Sequence, residues 1–177
     1  VGAQRISEIL DLEPDIKDKP NAIRANNLQG EIIFGKVSFG YDDERKILRD
    51  ITFRVAPGQR VAFVGSSGAG KSTILNLLLR LYDPQEGNIY IDQINLRDYD
   101  RESLRQQLGL VLQDSLLFGA SIRENISYGK PDATLWEIKE AAKQAHIHDF
   151  VMSLSKGYET IIGELGSTLS GGQRQRI

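Results

Sequence analysis

"VAFVGSSGAGKSTILNLLLR", Val61 to Arg80, decides how the rest of the chain is read. The unbroken apolar run Val61–Val64 gives way to a glycine-rich stretch. Apolar residues at helical spacing follow: Ile74, Leu75, Leu78 and Leu79. That order predicts a central strand buried on both faces, a loop over Gly65–Gly70, and a helix from Lys71 to about Leu81. The loop fits G-x-x-x-x-G-K-[ST], with Gly65, Gly70, Lys71 and Ser72 at the defining positions. Each residue type answers a physical need. Glycines let successive backbone N–H groups turn inward into an anion-binding concavity. The helix N-terminus adds its partial positive charge at the same place. Lys71 can then reach the β- and γ-phosphates of a nucleotide, and the Ser72 hydroxyl can ligate Mg²⁺.

Working outward, the upstream stretches "EIIFGKVSFGY" and "ILRDITFRV" read as strands, with "APGQ" as a turn. Downstream, "DPQEG" turns the chain into a strand "NIYI". Asp100 caps a helix through "RESLRQQ", and "LGLVLQD" returns as a strand. Beyond Gln113 the character becomes helical, in "SIRENI" and "DATLWEIKEAAKQA". There Asp132 is the expected N-cap, and Leu135, Ile138, Ala142 and Ala145 form the expected buried face. The first thirty residues open with a short helical pattern, "RISEILDL", and pass into polar, proline-broken linker composition.

Composition sets the outer limits. With 177 residues, 40% apolar and 26% charged, the chain is of ordinary globular make-up. A formal net charge of -2 argues against non-specific nucleic-acid binding. There is no cysteine, hence no disulfide framework and no thiolate metal site. Apolar stretches such as "TILNLLLRLY" fall short of the roughly 18 residues that span a bilayer. The opening Val1 and the close on "LSGGQRQRI", a helix just begun, suggest a piece of a longer protein.

"LSGGQ", Leu169 to Gln173, resembles the signature motif of ATP-binding-cassette (ABC) proteins. "VLQD", with Gln113, is similar to their Q-loop, and Tyr41 in "VSFGY" to the aromatic residue on which they stack adenine. The resemblance runs from about Glu31 to the last residue. It implies an α/β fold: a P-loop NTPase core with an antiparallel β-subdomain and a mainly helical insertion, incomplete at the C-terminus. The implied division is a linker from a membrane domain over 1–30, an ATP-binding core over 31–113, a helical subdomain over 114–168, and the signature with the start of its helix over 169–177.

The implied cofactors are ATP and Mg²⁺. Lys71 and Gln113 are the implied catalytic residues, and Ser72 and Gln113 the metal side. Nucleotide contacts fall to Tyr41, Gln113 and the loop and first helical turn, Gly65, Ser66, Ser67, Gly68, Ala69, Gly70, Lys71, Ser72 and Thr73. Ser170, Gly171, Gly172 and Gln173 would act in trans, closing over ATP held by a second copy of the domain.

Further stretches resemble the export branch of the family, including lipid flippases and multidrug exporters: "RISEILDLEPDI", "SLRQQLGLVLQDSLLF", "IRENISYG" and "GYETIIGELGSTLSGGQRQRI". The implied partners are a second nucleotide-binding domain, in a head-to-tail dimer, and the transmembrane domain of the same transporter, with no nucleic acid. The implied location is the cytoplasmic face of a plasma or bacterial inner membrane. Glu164 takes the acidic position of a loop that touches the membrane domain. Leu165 stands where arginine is common, and Gln93 where glycine is frequent.

The family carries an apolar strand ending in Asp–Glu, and later a histidine, beyond the signature. Without that glutamate, this stretch is expected to bind MgATP and hydrolyse it poorly, since a positioned general base contributes about 10²- to 10⁴-fold. "NIYID" mimics the aspartate pattern but is followed by Gln93 and comes too early. His146 and His148 are read as surface or helix-capping residues. A soluble ABC ATPase without a membrane domain, and a module that binds ATP without hydrolysing it, remain open alternatives.

Overall fold

Alternation at period two builds the sheet that carries the first half of the chain. The computed structural model describes residues 5, 7, 10, 11, 13–42, 44–112, 116–163 and 169–177, and divides the chain into two units, Val1–Gly109 and Leu110–Ile177. In the first unit, β1 (Ile32–Phe39), β2 (Leu48–Val55), β3 (Glu86–Ile91) and β4 (Ile94–Asn95) form an antiparallel sheet in the order β2-β1-β3-β4. Helix α1 (Lys71–Leu78) packs Ile74 and Leu77 into one core with Phe39, Leu48 and Ile89. Each such side chain contributes about 1.5–3 kcal/mol by leaving water. Helix α2 (Arg101–Gln106) starts as expected at Asp100, whose carboxylate accepts from the Ser103 N–H at 2.9 Å.

Four expectations for this unit need correction. Helix α1 stops at Leu78 rather than near Leu81, because Arg80 turns to φ 50 and the Leu81 N–H closes back onto the Asn76 carbonyl. Its buried face is Thr73, Ile74 and Leu77, while Leu75 stays 43% exposed. The stretch Val61–Val64 forms no strand, and Val64 is 94% exposed; "LGLVLQ" likewise forms none over Leu108–Leu112. A run of this kind becomes a central parallel strand only with a partner along each edge. Among the described residues, the single parallel pairing is an isolated bridge between Ile23 and Tyr99.

That bridge also ties the lead-in, whose composition reads as linker, to the first unit. Ala25 is 2% exposed, and its N–H donates to Ser103 Oγ at 2.9 Å. Arg5, Ser7 and Leu10 are helical, whereas Ile6, Glu8, Ile9 and Leu12 of the predicted helix lie outside the described residues.

The second unit is helical, as expected: α3 (Ile122–Ile126), α4 (Leu135–Gln144), α5 (His148–Ser153) and α6 (Gly171–Arg176). Ile122, Ile138, Ala142, Val151 and Ile162 form its core. Thr134, not Asp132, caps α4. Thr134 and Glu137 exchange side-chain-to-backbone hydrogen bonds in a capping box, which satisfies two orphan donors where a lone aspartate satisfies one. Leu135, at the first helical position, is 49% exposed. His146 sits just past the end of α4 at φ 54, the helix-terminating position, and His148 Nδ1 meets Tyr158 Oη at 2.8 Å.

Two predictions follow from local geometry. The β3–β4 turn places Asp92 and Gln93 at φ 48 and 67, a conformation that favours glycine at its second position. Gln93→Gly is therefore expected to stabilise the fold by about 0.5–1 kcal/mol in urea denaturation. An unchanged midpoint would mean that the turn carries no strain.

Glu137 is held well below its ordinary 4.5, to about 2, first by its hydrogen bond from Lys130 and then by those from Thr134. A depressed carboxylate stabilises the fold fully above its unfolded value and loses that contribution as pH falls toward the folded one. Far-ultraviolet circular dichroism should therefore show helix loss between about pH 4.5 and pH 2 that flattens in Glu137→Gln. An identical profile in the variant would place the titration elsewhere.

Candidate functional site: a phosphate loop beside an aromatic pocket

The loop Gly65–Ala69 is exposed throughout and ends at Gly70, which is buried at φ 89. A Cβ on Gly70 would lie 2.6 Å from Leu48 Cδ2, so the entry to α1 is pressed against β2 and admits only glycine. At Gly68, also at positive φ (79), a Cβ would meet nothing within 4 Å, so the loop faces open space there. Lys71 Nζ donates to the Gly65 carbonyl at 2.9 Å and to the Ser66 carbonyl at 2.7 Å. The ammonium thus lies across the loop, in front of the N-terminus of α1. Ser72, in the first turn, is exposed. Thr73 is buried, and its hydroxyl accepts from Tyr41 Oη at 3.3 Å.

Tyr41 opens a bend just after Gly40, where a Cβ would run into the Arg45 carbonyl. Its hydroxyl also accepts from Asn76 Nδ2 at 2.9 Å. Its ring meets Phe39 and Tyr82 edge-on, with centroids 5.2 and 5.1 Å away. The other side of Tyr41 opens on a cavity of about 390 Å³ that it lines with Asp42, Arg45, Lys46, Ile47 and Gly68. A volume of this size suits a small planar ligand. Gly68 belongs to both the cavity and the loop, so the two features form one continuous surface.

In the second unit, Ser170 caps α6. Its Oγ accepts from the Gln173 N–H at 3.2 Å, and Gln173 Oε1 accepts from the Ser170 N–H at 2.8 Å. Ser170, Gly171 and Gly172 are exposed, and Leu169 is packed in the helical core. Gln173 therefore has a structural task that its place in the motif did not reveal. Gln113, Glu164 and Leu165 lie outside the described residues.

The family model described as "ABC transporter" matches residues 48–177. The chain belongs to the ABC transporter family. It is 47% identical over 176 residues to the ATP-dependent lipid A-core flippase of Syntrophus aciditrophicus, covering 99% of this chain and 29% of that protein. It is 52% identical over 174 residues to YgaD of Bacillus subtilis, provisionally named a multidrug export ATP-binding/permease protein, covering 98% of this chain and 30% of the relative. The solved structure of a bacterial Atm1-family ABC exporter with ATP bound superposes with a TM-score of 0.90 at 46% identity, over 98% of this chain and 31% of that one. The chain thus spans about 30% of the length of the relatives it matches. The fold is that of an ABC exporter's nucleotide-binding domain, an α/β P-loop NTPase type.

Sequence reasoning named the loop and Tyr41; it did not name Arg45, Lys46, Ile47, Asn76 or Tyr82, which the structure places with Tyr41. Their only signal was nearness in sequence to Tyr41 or to the helix. Arg45 makes no ion pair among the described residues, whereas Lys46 pairs with Glu86 at 2.6 Å.

The Gly70 geometry yields a further prediction. Gly70→Ala should both strain the αL position, by about 1–2 kcal/mol, and push Leu48 aside. We expect a lowered melting temperature together with weakened nucleotide binding. Wild-type behaviour in both would mean that the α1 entry is not as tightly constrained as its contacts indicate.

Proposed function

We propose that this chain is the ATP-binding domain of an export-type ABC transporter, using ATP with Mg²⁺ to drive substrate export through dimerisation and hydrolysis. One observation carries the reading: Lys71 lies across a glycine loop at a helix N-terminus, contiguous with the Tyr41 cavity. In this reading, adenine stacks on Tyr41, and the phosphates lie on the Gly65–Gly70 amides and Lys71. The signature Ser170–Gln173 closes over nucleotide held by a second copy arranged head to tail.

Mg²⁺ fits the donor set present. Ser72 offers an exposed hydroxyl in the first turn of α1, and a hard cation that binds mainly through phosphate oxygens and water needs few protein oxygens. Ser72 would hold it with Gln113, and it would supply charge neutralisation at the phosphates. Hydrolysis then follows in-line attack of water on the γ-phosphate, with Lys71 stabilising the charge that develops and Gln113 sensing the γ-phosphate.

The division into a lead-in over 1–30, a core over 31–113, a helical subdomain over 114–168 and a signature segment over 169–177 belongs to the same reading. So do a transmembrane domain as partner, the absence of a nucleic-acid partner, and a place at the cytoplasmic face of a plasma or bacterial inner membrane. The names of the flippase and of the ATP-bound exporter structure support it.

Titration with a fluorescent ATP analogue and Mg²⁺ tests the site. Lys71→Ala should abolish binding. Tyr41→Ala should weaken it roughly five- to 150-fold, the equivalent of ~1–3 kcal/mol of base–aromatic stacking. Wild-type affinity in Lys71→Ala would sink the assignment.

A further inference from the structure

Arg80 presents a problem that the nucleotide site does not explain. Its side chain is 2% exposed, and it occupies the left-handed position after α1, at φ 50, where glycine or asparagine is the usual residue. An arginine there strains the backbone and buries a charge besides. Something must offset both.

The offset lies in the lead-in. Arg80 Nη1 donates to Asp18 Oδ1 at 3.1 Å and to the Tyr99 carbonyl at 2.8 Å, and Nη2 donates to the Lys17 carbonyl at 3.3 Å. Its Nε faces Asp83 Oδ1 at 3.5 Å, an ion pair longer than a hydrogen bond. Asp18 is shared, because Arg101 Nε also donates to its Oδ1 at 3.0 Å. Arg105 closes the same helix end by donating to the Leu79 and Arg80 carbonyls, both at 3.0 Å. From there the lead-in continues along the core: the Ile23 N–H donates to the Asp98 carbonyl at 2.7 Å, and the Asp100 N–H to the Ile23 carbonyl at 2.8 Å.

Helix α1 therefore has its phosphate loop at one end and the lead-in at the other. Its eight residues make a rod only about 12 Å long. A displacement at Arg80 has no flexible element in which to dissipate before it reaches Lys71.

We propose that Asp18 and Arg80 are positioning residues for the phosphate site, a clamp through which docking of the lead-in and binding of nucleotide strengthen each other. The proposal rests on the ATP-binding reading above. If the two events are coupled, the effect runs both ways: a loosened lead-in weakens nucleotide binding, and nucleotide tightens the lead-in. Whatever moves the chain upstream of Asp18 would then be felt at Lys71.

The test uses MgATP titration together with amide hydrogen exchange on the wild type, Asp18→Asn, Asp18→Glu and Arg80→Gly. Asp18→Asn should weaken MgATP binding about tenfold, within the roughly 5–150-fold usual for coupled sites. It should also speed exchange across Lys71–Leu78, and Asp18→Glu should restore part of both. In the wild type, MgATP should slow exchange across Lys17–Ala25, and this protection should vanish in Asp18→Asn. Arg80→Gly separates the clamp from simple helix capping. Glycine suits the position better, so a capping role predicts unchanged affinity, whereas the clamp predicts a loss like that of Asp18→Asn. Wild-type affinity in Asp18→Asn or Arg80→Gly, or equal lead-in exchange with and without MgATP, would overturn the clamp while leaving the nucleotide site standing. Failure of the wild type to bind MgATP would overturn the ATP-binding reading and the coupling with it.

Discussion

The first unit depends on how one short helix is held. An isolated eight-residue helix does not persist in water, because nucleation is unfavourable and too few hydrogen bonds follow it. Helix α1 exists because Ile74 and Leu77 are buried against the sheet, Gly70 is wedged on Leu48, and Arg80 and Arg105 tie down the far end. Held this firmly, α1 can carry a loop whose residues are all exposed and contribute little packing of their own. A phosphate loop must keep most of its N–H groups available to a ligand, and here, among the described residues, only the Ala69 N–H is turned inward, to the Ser66 carbonyl at 3.2 Å. Stability therefore has to come from the two ends of the helix it leads into.

How much of this was legible in the sequence depends on the range of the interaction. The glycine loop, the helix that starts at Lys71 and the Asp100 cap are local patterns, and they appear where local reading puts them. Asp132 was misread because it and Thr134 are both good caps; only the reciprocal partner three residues on, Glu137, distinguishes them. The run Val61–Val64 was misread for a different reason. Its apolar character records what the segment is fit to pack against, but strand pairing depends on partners that local pattern does not specify.

The lead-in shows the same limit from the other side. Its proline-broken, polar composition reads as linker because nothing local holds it. Its partners, Tyr99, Ser103, Arg80 and Arg101, lie 62 or more residues away. A single aspartate shared by two guanidiniums leaves no periodic trace. Charged contacts across such separations become legible only when a fold brings them together, and they matter most where one partner is buried.

Charge is also where the composition misleads. A net charge of -2 is poorly matched, as a whole-chain figure, to a ligand as anionic as ATP. Yet the field a ligand meets is set by nearby groups, since exposed charges beyond a Debye length of about 8–10 Å are screened. Around the cavity, Asp42 is bound to the Arg45 N–H and Lys46 is largely neutralised by Glu86. Arg45, which makes no ion pair among the described residues, is among the residues that line the cavity, and the Lys71 ammonium lies on neutral carbonyls at the loop. Arg45 and Lys71, with the N-terminus of α1, thus set positive charge beside the loop, opposed at the cavity by the carboxylate of Asp42, while the chain as a whole is acidic. Which basic side chains lack a carboxylate is a property of pairing in the fold that no count of residues contains.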